Sequence, residues 1–171
     1  MTTLANSLMP VSVHWNDIAP FPGQLELIDQ TQLPERLEVL PCQSVEQVFE
    51  AIRALRVRGA PAIGIAAAYG VLLALRDQDP DSLVTQNTCE QLGEAIDTLA
   101  SSRPTAVNLF WALKRMRSVL ESLPEAVKVS DWHYHLLREA QAIHEEDRQM
   151  CHRIGRYGAD LIRDGQGILT H

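Results

Sequence analysis

The sequence has few cysteines, little positive charge and no long uninterrupted apolar run, and each shortage excludes a class of protein. Its three cysteines, Cys42, Cys89 and Cys151, are scattered over 171 residues. They are odd in number and no two have CxxC spacing, so neither a disulfide framework nor a zinc knuckle is indicated. The most apolar stretch, Ala60 to Leu75, is interrupted by Pro61, Gly64 and Gly70 and stops at Arg76. It falls short of the roughly 20 residues that span a bilayer and reads as a buried helix. The first seven residues, Met1 to Ser7, lack a basic residue and do not read as a secretory signal, so the expected compartment is the cytoplasm. Fifteen Lys and Arg against 22 Asp and Glu give a formal net charge of −7. That balance disfavours general binding to nucleic acid or to an anionic membrane. Any anion must therefore be held by a few well-placed arginines. No GxSxG is present, and Cys42 and Cys89 have no evident histidine partner, so nucleophilic catalysis has no support in these residues.

What is present is ordinary globular composition, 46% hydrophobic and 22% charged, enough for one domain or for one domain and part of another. Up to Cys42 the pattern is strand-like. Val11–Trp15 and Gln24–Leu27 alternate apolar with polar, Pro20, Pro22 and Gly23 mark a turn, and Leu37–Leu40 ends at Pro41. The links are too short for helical crossovers, which predicts a small antiparallel sheet. From Ser44 the period becomes helical. Ser44 and Gln47 have capping-box spacing ahead of an apolar stripe of Val45, Val48, Phe49, Ile52 and Leu55. A second helix is expected from Pro61. A third runs from about Asp81 to Ala100 with Leu92, Ala95, Ile96 and Leu99 inward. A fourth opens at Pro104 and buries Leu109, Leu113, Met116 and Leu120. A longer helix follows Pro124 toward Ile162. Asp164-Gly165 then makes a turn, and Gly167–His171 reads as a buried strand. A helix leading into such a strand resembles the entrance to an α/β domain. The expected class is thus α+β, with an N-terminal domain over 1–124 and, over 125–171, a connecting helix and the first strand of a Rossmann-like domain.

Two segments have the makings of an anion site. Arg58-Gly59-Ala60-Pro61 precedes a helix rich in small residues, whose first turn leaves backbone N–H groups unpaired at the positive end of the helix dipole. Gly59 lets an anion approach and Arg58 supplies a planar cationic fork. The absence of Gly-Lys-Ser/Thr means that this is not a Walker loop. The alternative is a tightly packed core helix with a solvated arginine. In the second segment, Ser101 or Ser102 caps a helix begun by Pro104, and Arg103 sits where helix electrostatics favour an anion instead. An arginine twice stands just before a proline-initiated helix, and the two could converge on one phosphate. A third cluster, His144, Asp147, Arg148, Cys151 and His152, lacks metal-ligand spacing and reads better as an interfacial helix with a half-buried cysteine. Gly155 and Gly158 below it fit a close helix–helix or helix–sheet contact.

The runs Leu55–Gly64 with Ala67-Ala68-Tyr69-Gly70, and Ser102-Arg103-Pro104-Thr105-Ala106-Val107-Asn108-Leu109, resemble two hallmark motifs of methylthioribose-1-phosphate isomerases. Glu146-Asp147, Cys151, Ile154-Gly155, Gly158-Ala159 and the closing Asp164 to His171 resemble a third, and Ile28-Asp29-Gln30 with Leu33-Pro34 also fits. The superfamily includes ribose-1,5-bisphosphate isomerase and the regulatory subunits of eukaryotic initiation factor 2B, so a stand-alone sugar-phosphate-binding or regulatory module is the alternative. The resemblance implies an N-terminal α+β domain followed by a Rossmann-like domain. It also implies a homodimer and an aldose–ketose isomerisation in methionine salvage, with neither metal nor organic cofactor. Arg58, Gly59, Ala60 and Arg103 are implied to bind the substrate, chiefly its phosphate. Because O1 carries that phosphate, the sugar cannot open to a free aldehyde, and the family relies on a cysteine and an aspartate in a dry pocket. The cysteine belongs to Thr-His-Cys-Asn-Ala-Gly, of which this chain holds Thr170 and His171, so no catalytic residue is expected within it. An isolated chain of this kind is expected to be inactive and to associate. A UGA codon read as selenocysteine is expected after His171; a nonsense mutation, a frameshift or a deliberate cut are the alternatives.

Overall fold

The computed structural model describes residues 11–124 and 126–169. Their order is β1 (Val13–Asn16), β2 (Gln24–Ile28), β3 (Val39–Cys42), α1 (Val45–Arg53), α2 (Ala60–Leu72), α3 (Gln86–Ser101), α4 (Val107–Ser122) and α5 (Val129–Ala159), with a 3-10 turn over Leu73–Leu75. The strands pair antiparallel in the order β1-β2-β3, with Val13 opposite Leu27 and Leu25 opposite Cys42. Alternation turns Val13, Trp15, Leu25, Leu27 and Cys42 into the core. Two strand limits differ from expectation. β1 starts at Val13, and β3 continues through Pro41 to Cys42 while Leu37 stays exposed. Because β3 is an edge strand, a proline within it costs the sheet no central ladder bond.

α2 is the axis of the domain. Every residue from Ile63 to Leu72 is buried, and α1, α3, α4, α5, β1 and β2 all pack on it. A helix enclosed on all sides needs no polar face, which is why its sequence shows no stripe. Its glycines set how near the neighbours come: a Cβ on Gly64 would lie 2.7 Å from the Asn108 carbonyl oxygen of α4. Around this axis α1 buries Val45, Val48, Ala51 and Ile52. Leu55 falls off the expected stripe, because it lies past the helix at φ 61° and is exposed. Ser44 accepts from Gln47 N, but the Gln47 side chain accepts from Gln43 N at 2.6 Å, so only half of the capping box forms.

Three helix starts move for local reasons. α3 begins at Gln86 and not near Asp81, because Thr85 and Thr88 cap it reciprocally. α4 begins at Val107 and not at Pro104. Ser102 ends α3, its hydroxyl donating to the Leu99 carbonyl at 2.6 Å, and so is not the cap of α4. α5 begins at Val129, where Asp131 accepts from Lys128 N. Its first half packs into the common core through Val129, Trp132, Leu136, Ala140 and Ile143. Its second half is uncovered: Met150, Ile154 and Tyr157 are exposed, as is Cys151, which was expected to be half-buried. Gly155 and Gly158 meet nothing within 4 Å of a built Cβ, so the close contact expected there is not made among the described residues. Gly165 makes the expected turn at φ 80°. Gly167–Leu169 is not a strand, and Leu169 is 98% exposed. A strand exists only by pairing, and no described strand lies beside this one. Thr170 and His171, expected in the same strand, lie outside the described residues. The architecture is α+β, a three-stranded antiparallel sheet with five α-helices among the described residues, and no Rossmann-like ending is seen among them. None of the helices there is long and apolar enough to cross a membrane.

Candidate functional site

The segment entering α2 is clamped from behind. Arg56 donates through Nη1 to Asp29 Oδ2 at 2.6 Å and through Nε to Glu50 Oε2 at 2.9 Å, while its carbonyl accepts from Gln30 N at 2.8 Å. Asp29 is buried. Burial alone would push its carboxyl up, but the hydroxyl and amide of Thr31 and the Arg56 guanidinium more than offset this and hold it below the usual carboxylate value. Two residues after the clamp comes Arg58, exposed and without an ion pair or hydrogen bond among the described residues. Gly59 then takes φ 94°, ψ 128° as the N-cap of α2. A Cβ there would meet only Ala62 Cβ, at 4.0 Å. Backbone conformation, and not crowding, is what asks for glycine at this cap.

The entrance to α4 is a tight turn. Ala106 N donates to the Arg103 carbonyl at 3.0 Å, and the Ala106 carbonyl then accepts from Leu109 N. Pro104 therefore sits in the turn, and only α2 of the two helices is proline-initiated. Arg103 is half-buried, and its guanidinium, like that of Arg58, has no ion-pair or hydrogen-bond partner among the described residues.

These two entrances share a property that the other α-helices lack. α1 and α3 have side-chain caps, and α5 has Asp131 in its first turn. The ends of α2 and α4 have neither a capping side chain nor an acidic residue. Their first-turn N–H groups are left pointing outward at the positive ends of two helix dipoles. The Gly64–Asn108 contact holds these ends together, and between them lies a cavity of about 380 Å³. Ala60 and Ile63 line one side; Arg103 and Thr105–Asn108 line the other. The structure thus brings Ala60 and Arg103 to one place. Gly59 caps that entrance, and Arg58 precedes it without lining the cavity. The arrangement can hold an anion by backbone N–H donors and a guanidinium.

Two further features had no clear sequence signal. The Asp29–Arg56 clamp depends on a contact across 27 positions; the motif showed both residues but not that they meet. On the α5 side, Arg115 donates twice to Glu146, at 2.6 and 2.9 Å, and also to Glu139, and its guanidinium lies over the Trp111 ring at 4.9 Å. The hydrogen bonds to Glu146 do most to raise Arg115, and Arg115 in turn lowers Glu146. The histidine cluster resolves into separate contacts. The His144 ring meets the Tyr69 hydroxyl at 3.3 Å, and burial lowers His144. His152 is exposed beside Arg148. Among the described residues no three His, Cys, Asp or Glu side chains gather as metal ligands would.

Comparison with known proteins adds a second line of evidence. Residues 56–171 match the model of the Initiation factor 2 subunit family (IF-2B). A methylthioribose-1-phosphate isomerase of Rhodopirellula baltica is 47% identical over 150 residues, which is 88% of this chain and 41% of that protein. A 5-deoxyribose 1-phosphate isomerase of Moorella thermoacetica is 44% identical over 164 residues, 96% of this chain and 44% of that one. The crystal structure of a 5-methylthioribose 1-phosphate isomerase from Pyrococcus horikoshii superposes with a TM-score of 0.80 at 32% identity, covering 93% of this chain and 42% of its own. The chain therefore spans about two-fifths of the length of these relatives.

Proposed function

Because the chain belongs to the initiation factor 2 subunit family, we propose that it is the N-terminal, phosphate-anchoring part of a methylthioribose-1-phosphate isomerase. The observation that carries this reading is the pairing of the uncapped ends of α2 and α4 across one cavity, with Arg103 in its wall and Arg58 just ahead of it. The reaction moves a hydrogen from C2 to C1 and breaks the ring bond between C1 and O4; C2 becomes a carbonyl as O2 gives up its proton, O4 takes one up as a hydroxyl, and the phosphate stays on O1. A group that stays fixed throughout is the natural handle. Gly59 and Ala60 contribute backbone, and Arg58 and Arg103 contribute charge, each such contact being worth on the order of 1.5–3 kcal/mol. The groups that move the hydrogen lie outside residues 1–171.

The relatives are more than twice as long as this chain, which supports a second, Rossmann-like domain reached through residues 125–171, with 1–124 as the first. α5 spans the join, its first half packed on the first domain and its second half uncovered. The complete protein is a cytoplasmic homodimer that acts on a small sugar phosphate, with no nucleic-acid partner. A chimera tests the reading: this chain replaces the matching segment of the Rhodopirellula baltica relative, and conversion of 5-methylthioribose 1-phosphate is followed. The chimera should turn over, and Arg58→Ala or Arg103→Ala should each lower kcat/KM about tenfold or more. A folded but inactive chimera, or one indifferent to both substitutions, refutes the assignment.

A further inference from the structure

The Asp29–Arg56–Glu50 clamp carries the wrong sign for its place in the chain. Two carboxylates on one guanidinium leave a net negative charge two positions ahead of Arg58, in the segment that leads to the anion cavity. By charge alone this arrangement repels phosphate. Its contacts supply a different reason for it. The Asp29 N–H donates to the Glu38 carbonyl at 2.9 Å, and Oδ1 accepts from the amide and the hydroxyl of Thr31 at 3.0 and 2.6 Å, so Asp29 is fixed at the end of the sheet. Its other oxygen, Oδ2, holds Arg56 Nη1. The Arg56 backbone is pinned on both sides: its N–H donates to the Ala51 carbonyl at 2.9 Å, and its carbonyl accepts from Gln30 N. Val57 follows as a fully buried peg. Arg58 and Gly59, both exposed, then lead to Ala60, the first residue of α2.

Resting on the phosphate-anchoring reading above, we propose that Asp29 is a positioning residue for the anion site: through Arg56 it sets where Arg58 and the Gly59 cap of α2 stand. The Arg58 guanidinium is free to reach an anion because the backbone that carries it is not free. Two Cα–Cα links of about 3.8 Å join Arg56 to Arg58, so a displacement of Arg56 passes to Arg58 with little loss. A site built on aligned donors is detuned by a shift of that kind. Asparagine in place of Asp29 keeps an oxygen for Thr31 but turns an amide NH2 toward the guanidinium, donor against donor. Lysine in place of Arg56 keeps the charge but lacks the planar fork that reaches Asp29 and Glu50 at once.

Charge and position predict opposite signs, so inorganic phosphate binding separates them. The 171-residue chain is titrated with phosphate and the amides of Ala60, Ala62 and Asn108 are followed by nuclear magnetic resonance, whose dispersed spectrum also shows that each variant is folded. If Asp29 acted by its charge, Asp29→Asn would bind phosphate more tightly; if it only stabilised the fold, the folded variant would bind as the parent does. As a positioning residue it predicts a loss: Asp29→Asn should bind about fivefold or more weakly. Arg56→Lys should do the same with no change in net charge, and it decides alone if Asp29→Asn does not fold. Thr85→Ala is the control for lost stability. It uncaps α3 at the end about 24 Å from Ser102 and should bind phosphate as the parent does. In the chimera, Asp29→Asn should raise KM for 5-methylthioribose 1-phosphate, whereas a mere loss of folded protein lowers kcat at constant KM. If the folded clamp variants bind phosphate as tightly as the parent or more tightly, or if Thr85→Ala weakens binding as much, the positioning assignment is overturned while the phosphate reading stands. If Arg58→Ala and Arg103→Ala also leave phosphate binding unchanged, both are overturned.

Discussion

Adding one methyl group at Gly64 should separate the two helix ends that form the phosphate cavity. In Gly64→Ala the new Cβ would stand 2.7 Å from the Asn108 carbonyl oxygen, 3.2 Å from its carbon and 3.4 Å from Ala112 Cβ. The first contact is with backbone, so no side chain can swing aside; α4 itself must move by several tenths of an ångström. Alanine gains about 1 kcal/mol over glycine in a helix interior, while overpacking against a rigid neighbour costs about 1–3 kcal/mol. The net is a destabilisation of up to about 2 kcal/mol, or up to roughly 8 °C in Tm for a chain of this size. Gly93 is the internal control. It lies inside α3, and a Cβ there meets nothing within 4 Å. Gly93→Ala should therefore stabilise by about 0.5–1 kcal/mol. Urea unfolding of the two variants beside the parent gives both numbers. The displaced α4 should also weaken phosphate binding, because Asn108 is both the point of collision and part of the cavity wall. A Gly64→Ala protein as stable as Gly93→Ala, with phosphate binding intact, would refute the close-crossing argument.

Arg58→Ala and Arg103→Ala should leave the melting curve within about 0.5 kcal/mol of the parent, since neither guanidinium has an ion-pair or hydrogen-bond partner among the described residues; each should weaken phosphate binding about tenfold, read by titration calorimetry. Asp29→Asn removes the buried end of the clamp and should cost about 1–2 kcal/mol at pH 7, allowing for the half-exposed Arg56. Because the Asp29 carboxyl lies below its ordinary 3.8 when folded, its contribution is complete above that pH and is lost as pH falls through the folded value. The parent should therefore lose stability more steeply than Asp29→Asn below pH 4, and parallel acid titrations of the two proteins would count against the clamp. Burial holds both His133 and His144 below the ordinary imidazole 6.5. The unfolded chain then takes up protons first, so stability should fall as pH drops from about 6.5 toward the folded values. Urea midpoints from pH 7.5 to 5 should fall less in His133→Gln/His144→Gln than in the parent. Sedimentation of the chain should show a size that grows with concentration, driven by exposed Ile154 and Tyr157 on α5; Ile154→Glu with Tyr157→Glu should abolish the growth, and an unchanged profile would place the contact elsewhere.

The existence of the elements was legible where a physical period was strong. The alternation of β1 and β2 and the inward faces of α3 and α4 were all visible, and the enclosed run of α2 showed as a near-continuous apolar stretch. Boundaries were not, because they turn on which neighbour claims a short polar side chain. Ser102 could cap forward or bond back, and only the packed α3 decides that it bonds to Leu99. Thr85 and Thr88 cap each other, a pairing weaker in sequence than the Ser44–Gln47 spacing, which in the event is only half formed. At the site, Gly59 and the arginines stood out by chemistry. The closeness of α2 to α4 did not, since Gly64 and Asn108 meet across 44 positions and no local pattern encodes the crossing.

α5 is a rod of 31 residues, about 46 Å at 1.5 Å per residue. Its buried stem ends near Ile143, and Ile143, Glu146, Asp147 and Met150, which with Gly64 and Trp111 wall a pocket of about 130 Å³, occupy the stretch where burial gives out. Any tilt of the uncovered arm must turn about that stretch. From Ile143 the free arm runs about 24 Å to Ala159, so a tilt of roughly 5° carries its tip about 2 Å and carries the Met150 wall with it in proportion. Whatever grips the arm and whatever fills the pocket then act on the same angle. A body attached at the tip that settles the angle sharpens the pocket, and a ligand that settles the pocket steers the body, each by the same factor.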